Sequence, residues 1–174
     1  MPRLLRWLWV SLQRWLYKKP EGFFAYTRLI LCAFAINILW LATILNLENR
    51  SPAYFDWQRL NGFEILYLGL HAFIEELLFR WSPIFLLIIL SGRKPVPLLL
   101  LASLASSVYF GFAHGLNWHC LYLQGVAGFI FSLVFIKCSS PNSRRIFLLN
   151  NKAILVTTII HALYNLTLVS FGIA

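Results

Sequence analysis

The 174-residue sequence is poor in charge, and in acid above all: six Asp and Glu stand against fifteen Lys and Arg, and charged residues make up 12% of the chain. Ordinary soluble domains are about 25% charged and about 45–50% apolar. Here the apolar share is 60% and the mean hydropathy is +0.72. That balance excludes an ordinary water-soluble domain and points to a one-domain polytopic membrane protein. Cysteine is scarce as well. Cys32, Cys120 and Cys138 fall in different segments with no ligand spacing, which argues against a disulfide or metal framework. The chain also lacks internal repeats, low-complexity stretches and an HExxH pattern. In a soluble protein a net charge of +9 would raise the question of nucleic acid. The basic residues instead lie between hydrophobic runs, where they act as topology signals and as contacts to anionic membrane lipid, so no nucleic-acid partner is expected.

Residues 1–19, MPRLLRWLWVSLQRWLYKK, begin basic and continue apolar as a signal peptide does. Gln13 and Arg14 break the apolar run, however, and no small-residue cleavage site follows. At about 100° per residue, Arg3, Arg6, Gln13, Arg14 and Lys18 share one arc, while Leu4, Leu5, Leu8, Leu12, Trp15 and Leu16 share the other. The segment is expected to lie as an amphipathic helix on a membrane surface.

A helix needs about 20 apolar residues to cross about 30 Å of hydrocarbon. Runs of that order occupy 25–47, 62–91, 95–113, 118–137 and 152–172. Pro83 inside the second run is expected to kink it, or to start a short separate helix after a Ser82 cap. With the amino terminus inside, twelve of the fifteen Lys and Arg fall on inner segments, Arg50 and Arg59 fall on outer loops, and Arg80 lies within a span. The expectation is an all-α bundle of about five transmembrane helices in the cell membrane, amino terminus cytoplasmic and carboxyl terminus outside.

Against that background the stretch HAFIEELLFR at 71–80 is out of place. One ionisable side chain at the centre of a span costs about 2.5–3.5 kcal/mol, so such groups face the bundle interior and mark function. Glu76 and Arg80 have the i,i+4 spacing and polarity of a helix ion pair, and His71 and Glu75 form a second pair one step round. Glu75 and Glu76 diverge by about 100°, so one carboxylate can be neutralised by Arg80 while the other faces a different helix. His114 ends the third span and shares a face with Phe110; His161 and Asn165 share a face of the fifth. A buried carboxylate beside an imidazole suits the activation of water, and a second imidazole with a carboxamide suits the stabilisation of an oxyanion. The reaction class implied is amide hydrolysis at the bilayer.

Three of these patterns resemble one family. Glu75-Glu76-Leu-Leu-Phe-Arg80 matches EExxxR, Phe110-Gly-Phe-Ala-His114 matches FxxxH, and His161-Ala-Leu-Tyr-Asn165 matches HxxxN, in order and each on its own span. This resembles the CPBP family of CAAX proteases and bacteriocin-processing enzymes, also called Abi. Gly125-Val-Ala-Gly128 is similar to that family's glycine-rich helix. The resemblance implies a glutamic-type intramembrane endopeptidase over 62–172, behind the helix at 1–19 and a first transmembrane helix at 25–47. It implies no cofactor and no metal. Glu75 is then the general base, acting with His114 on water; Glu76 and Arg80 hold the site together; His161 and Asn165 stabilise the oxyanion. The implied substrate is a membrane-associated protein or peptide, cut at a CAAX-like tail, a leader or a sorting signal. Two other readings stay open: Glu75, His114 and His161 as a His₂Glu zinc site, and a non-catalytic immunity or partner-binding membrane protein.

Overall fold

Basic clusters, proline and polar turns cut the apolar sequence into rods. The computed structural model describes residues 2–48, 60–91, 96–139 and 151–171, and for 88–91 and 151 the backbone only. Among them α1 is Arg3–Tyr17, α2 is Gly22–Leu47, α4 is Val96–Ala113 and α6 is Asn151–Ser170. Two further rods each contain a π turn. In α3, Gly62–Glu76 runs through Leu77–Trp81 into Ser82–Ser91; in α5, Trp118–Cys120 runs through Leu121–Gly125 into Val126–Ser139. Arg50, Arg59, Arg93, Lys94, Arg144 and Arg145, all used in the charge count, lie outside the described residues, as does the end of the expected fifth span.

The protein is a polytopic helical bundle. Among the described residues four helices are long and apolar enough to cross a membrane, namely α2, α4, α5 and α6. The remaining expected span, 62–91, is α3, about 45 Å long at 1.5 Å per residue. It falls outside that set by composition, because Glu75, Glu76 and Arg80 interrupt its apolar run. All three of those side chains are buried.

α5 and α6 form the centre, with α3 and α2 against α6 and α4 against α5. Phe131, Phe135, Ile160, Tyr164 and Leu168 are buried there, whereas Leu39, Leu66, Leu101 and Leu155 are exposed. Such an apolar outer face suits contact with acyl chains. α1 likewise exposes Leu4, Leu5, Trp7 and Leu8 while burying Leu16.

Pro83 is the second residue of Ser82–Ser91, which follows the π turn Leu77–Trp81 directly. Lacking an N–H, it cannot donate to the Phe79 carbonyl four residues before it. The π turn absorbs the misfit, and the Ser106 hydroxyl on α4 donates to that carbonyl instead. The π turn of α5 is served in the same way: Trp40 Nε1 of α2 donates to the Tyr122 carbonyl (2.8 Å), and the Tyr164 hydroxyl of α6 donates to that of Leu123 (3.1 Å). Each irregular turn thus becomes a tie between helices. α4 and α5 cross at glycine, where a Cβ on Gly111 would stand 2.9 Å from the Leu121 Cα and 3.2 Å from the Gly125 Cα.

Candidate active site

Glu75 and Glu76 are consecutive on α3 and point to different partners, as the 100° step requires. Glu76 is fully buried; its Oε1 lies 3.3 Å from Arg80 Nη1 and accepts from His161 Nδ1 at 2.9 Å. Glu75 sits between two imidazoles. Its Oε1 is 3.3 Å from His114 Nε2, and its Oε2 is 3.2 Å from His161 Nε2. His71 Nδ1 approaches the same Oε2 at 3.4 Å from the more exposed side.

Both flanking histidines are anchored through Nδ1. That of His114 faces the Phe110 carbonyl at 2.9 Å and that of His161 faces Glu76. Carbonyl and carboxylate oxygens only accept, so Nδ1 carries the proton in each ring and Nε2 is turned to Glu75. The i,i+4 spacing of Phe110 and His114 makes the first anchor a local consequence of helix geometry.

Aromatic walls enclose the polar groups. The Arg80 guanidinium lies 4.1 Å from the centre of the buried Phe110 ring and 5.4 Å from that of Phe131. Phe131 stacks on His161 at 4.8 Å, and the Phe110 edge meets His114 and His161 at 4.5 and 5.5 Å. A cation over an aromatic face recovers part of its lost hydration. Gly128 makes room for this arrangement: a Cβ there would stand 2.8 Å from Arg80 Nη2 and 2.9 Å from Phe110 Cδ1.

Glu76 Oε2 and Arg80 Nη2 are buried with no hydrogen-bond partner among the described residues, and Glu75 Oε2, His161 Nε2 and Arg80 Nη1 meet their ion-pair partners without hydrogen-bond geometry. Native interiors rarely leave buried polar atoms unsatisfied in this way. The structure thus brings Glu75, Glu76, Arg80, His114 and His161 together. Asn165, one turn beyond His161, is half-buried. Among the described residues no three His, Cys, Asp or Glu side chains are grouped as a metal site.

His114 reaches Glu75 although it follows the last residue of α4 while Glu75 lies midway along α3. The expected boundary of that span holds, and α4 ends level with the middle of α3. Phe131, Ser106 and Gly128 carry this geometry, yet only Gly128 lay within a recognised pattern. Phe131 follows it by three residues on the same helical face, a signal indistinguishable from core packing.

Fold and site together define a multi-pass helical membrane protein whose interior holds a carboxylate–imidazole cluster. Residues 57–167 match the family model described as type II CAAX prenyl endopeptidase Rce1-like, and the chain belongs to that family. It is therefore a membrane protein of a protease family, and every residue of the cluster lies within the matched segment. No curated protein and no solved structure matches the chain.

Proposed function

We propose that the protein hydrolyses a peptide bond near the end of a membrane-associated protein or peptide, with Glu75 as the general base. The observation that carries this reading is the presentation of two Nδ1-anchored imidazoles to the two oxygens of one carboxylate. A water in reach of Glu75 Oε1 and His114 Nε2 loses its proton to the carboxylate as its oxygen bonds to the scissile carbonyl carbon. Glu75 then passes that proton to the amine nitrogen as the C–N bond breaks. General-base catalysis of this kind contributes about 10²–10⁴-fold.

His161 holds the second half of the reaction. Its ring lies between the two carboxylates, with Nδ1 on Glu76 and Nε2 on Glu75. When substrate enters, His161 and Asn165 stabilise the developing oxyanion. Preorganised donors in a site without bulk water act at full strength because nothing needs to reorganise. Arg80 and Glu76 fix the ring of His161 and do not touch substrate.

The family name favours a prenylated CAAX tail as substrate, and the apolar outer faces of the helices suit a lipidated chain end. The Lys and Arg distribution favours a cytoplasmic amino terminus in the cell membrane. The test is cleavage of a farnesylated CAAX peptide in proteoliposomes by wild type and by Glu75→Gln. Loss of product at equal membrane content supports the assignment, and equal turnover overturns it.

A further inference from the structure

A cavity of about 600 Å³ opens where the α1–α2 turn meets α5, away from the carboxylate–imidazole cluster. Its two ends differ in chemistry. Lys18, Lys19 and Lys137 line the cavity at the α1–α2 turn, with Glu21 as the acid among them, and Arg28 lines it from the second turn of α2. Ala25, Leu29, Cys32 and Ile36 line the rest, on one face of α2 at helical spacing. Residues 25–36 extend that wall about 16 Å along the axis.

The basic end is fixed in place. Lys137, in the last turn of α5, donates through Nζ to the Trp15 and Lys18 carbonyls at 2.6 and 2.9 Å, and sits 4.3 Å from the centre of the Trp15 ring. These contacts hold the end of α1 and the turn into α2 against the bundle, so the cations around them converge on one opening. On the other side the wall faces outward: Arg28 and Cys32 are exposed, and Ile36 is 53% exposed. A hydrocarbon chain can therefore enter sideways from a bilayer.

A small anion alone uses only the basic end, and an acyl chain alone uses only the wall. The joining of the two at the surface helix of a membrane protein selects a ligand that has both. We propose that this cavity binds an anionic phospholipid, its phosphate among Lys18, Lys19 and Arg28 and one acyl chain along residues 25–36 of α2. Basic residues clustered at the end of a span are the recurring means by which helical membrane proteins hold anionic headgroups. The site makes no use of Glu75, His114 or His161, so it stands apart from the proposed hydrolysis.

The test uses the full chain with Cys120→Ser, which leaves Cys32 as the exposed thiol among the described cysteines. The protein is placed in vesicles of phosphatidylcholine, with or without phosphatidylglycerol. Native mass spectrometry then reads the lipid retained on extraction, and maleimide reads the accessibility of Cys32. The expected result is retained phosphatidylglycerol, little phosphatidylcholine, and slower labelling of Cys32 when phosphatidylglycerol is present. In the Lys19→Gln/Arg28→Gln variant, retention weakens about fivefold per charge removed. The labelling rate in pure phosphatidylcholine stays unchanged there, which separates lost binding from lost folding. Equal retention of the two lipids, or retention unaffected by the double substitution, overturns the proposal. So does protection of Cys32 by inorganic phosphate alone, because that outcome assigns the basic end to a soluble anion.

Discussion

Glu76 Oε1 accepts the Nδ1 proton of His161 at 2.9 Å, and this one bond turns the opposite nitrogen of the ring onto Glu75. The two adjacent glutamates thereby divide their work. On the proposed reading Glu76, paired with Arg80, is structural, and Glu75, which faces imidazole nitrogens of His114 and His161, is the base. Several expectations rest on that division.

Removing the cation from the buried pair isolates a carboxylate in the interior. Arg80→Met is expected to destabilise the bundle by about 3–5 kcal/mol, since truncating one partner of a buried ion pair leaves an uncompensated charge. Glu76→Gln added to it restores part of the loss. Thermal unfolding in detergent across the two single variants and the double checks the coupling.

His114 and His161 differ in what else depends on them. His114 is partly exposed at the end of α4, and His161 is fully buried between both carboxylates. His114→Ala is expected to lower turnover about 10²–10⁴-fold with little change in unfolding temperature. His161→Ala lowers both. Measuring rate and melting on the same preparations separates the two roles.

Gly128→Ala is expected to disturb the site from the neighbouring helix, because its Cβ would press on Arg80 Nη2 at 2.8 Å and on Phe110 at 2.9 Å. Overpacking of this kind costs about 1–3 kcal/mol. Gly69→Ala serves as the control. Nothing lies within 4 Å of a Cβ there, and alanine in a helix is favoured over glycine by about 1 kcal/mol. Opposite shifts in melting temperature are the expected readout.

The carboxylate mechanism needs no metal ion. Prolonged chelation is expected to leave cleavage of a CAAX peptide unchanged. A rate lost to chelator and restored by zinc would instead favour Glu75, His114 and His161 as ligands.

The helical class and the positions of the apolar runs were legible because a membrane imposes length and composition on each span. The ion pair of Glu76 with Arg80 was legible because it is local, set by four residues on one helix. What joins the helices was not. The Ser106 hydroxyl on the Phe79 carbonyl exists because Pro83 lacks an N–H, yet nothing in the sequence says which of several serines in α4 supplies the donor. Nor does spacing place the end of α4 beside the middle of α3; the meeting of His114 with Glu75 followed from the family resemblance alone. Asn165 shares a helical face with His161 by periodicity, and its role as an oxyanion donor is part of the proposed function.

The account turns on Glu75 as the group that activates water. The direct measurement compares farnesylated CAAX peptide cleavage by wild type and Glu75→Gln at matched protein levels in proteoliposomes. The prediction is a loss of about 10²-fold or more, with unfolding temperature and membrane content retained. Turnover at the wild-type rate in the Gln variant would contradict it.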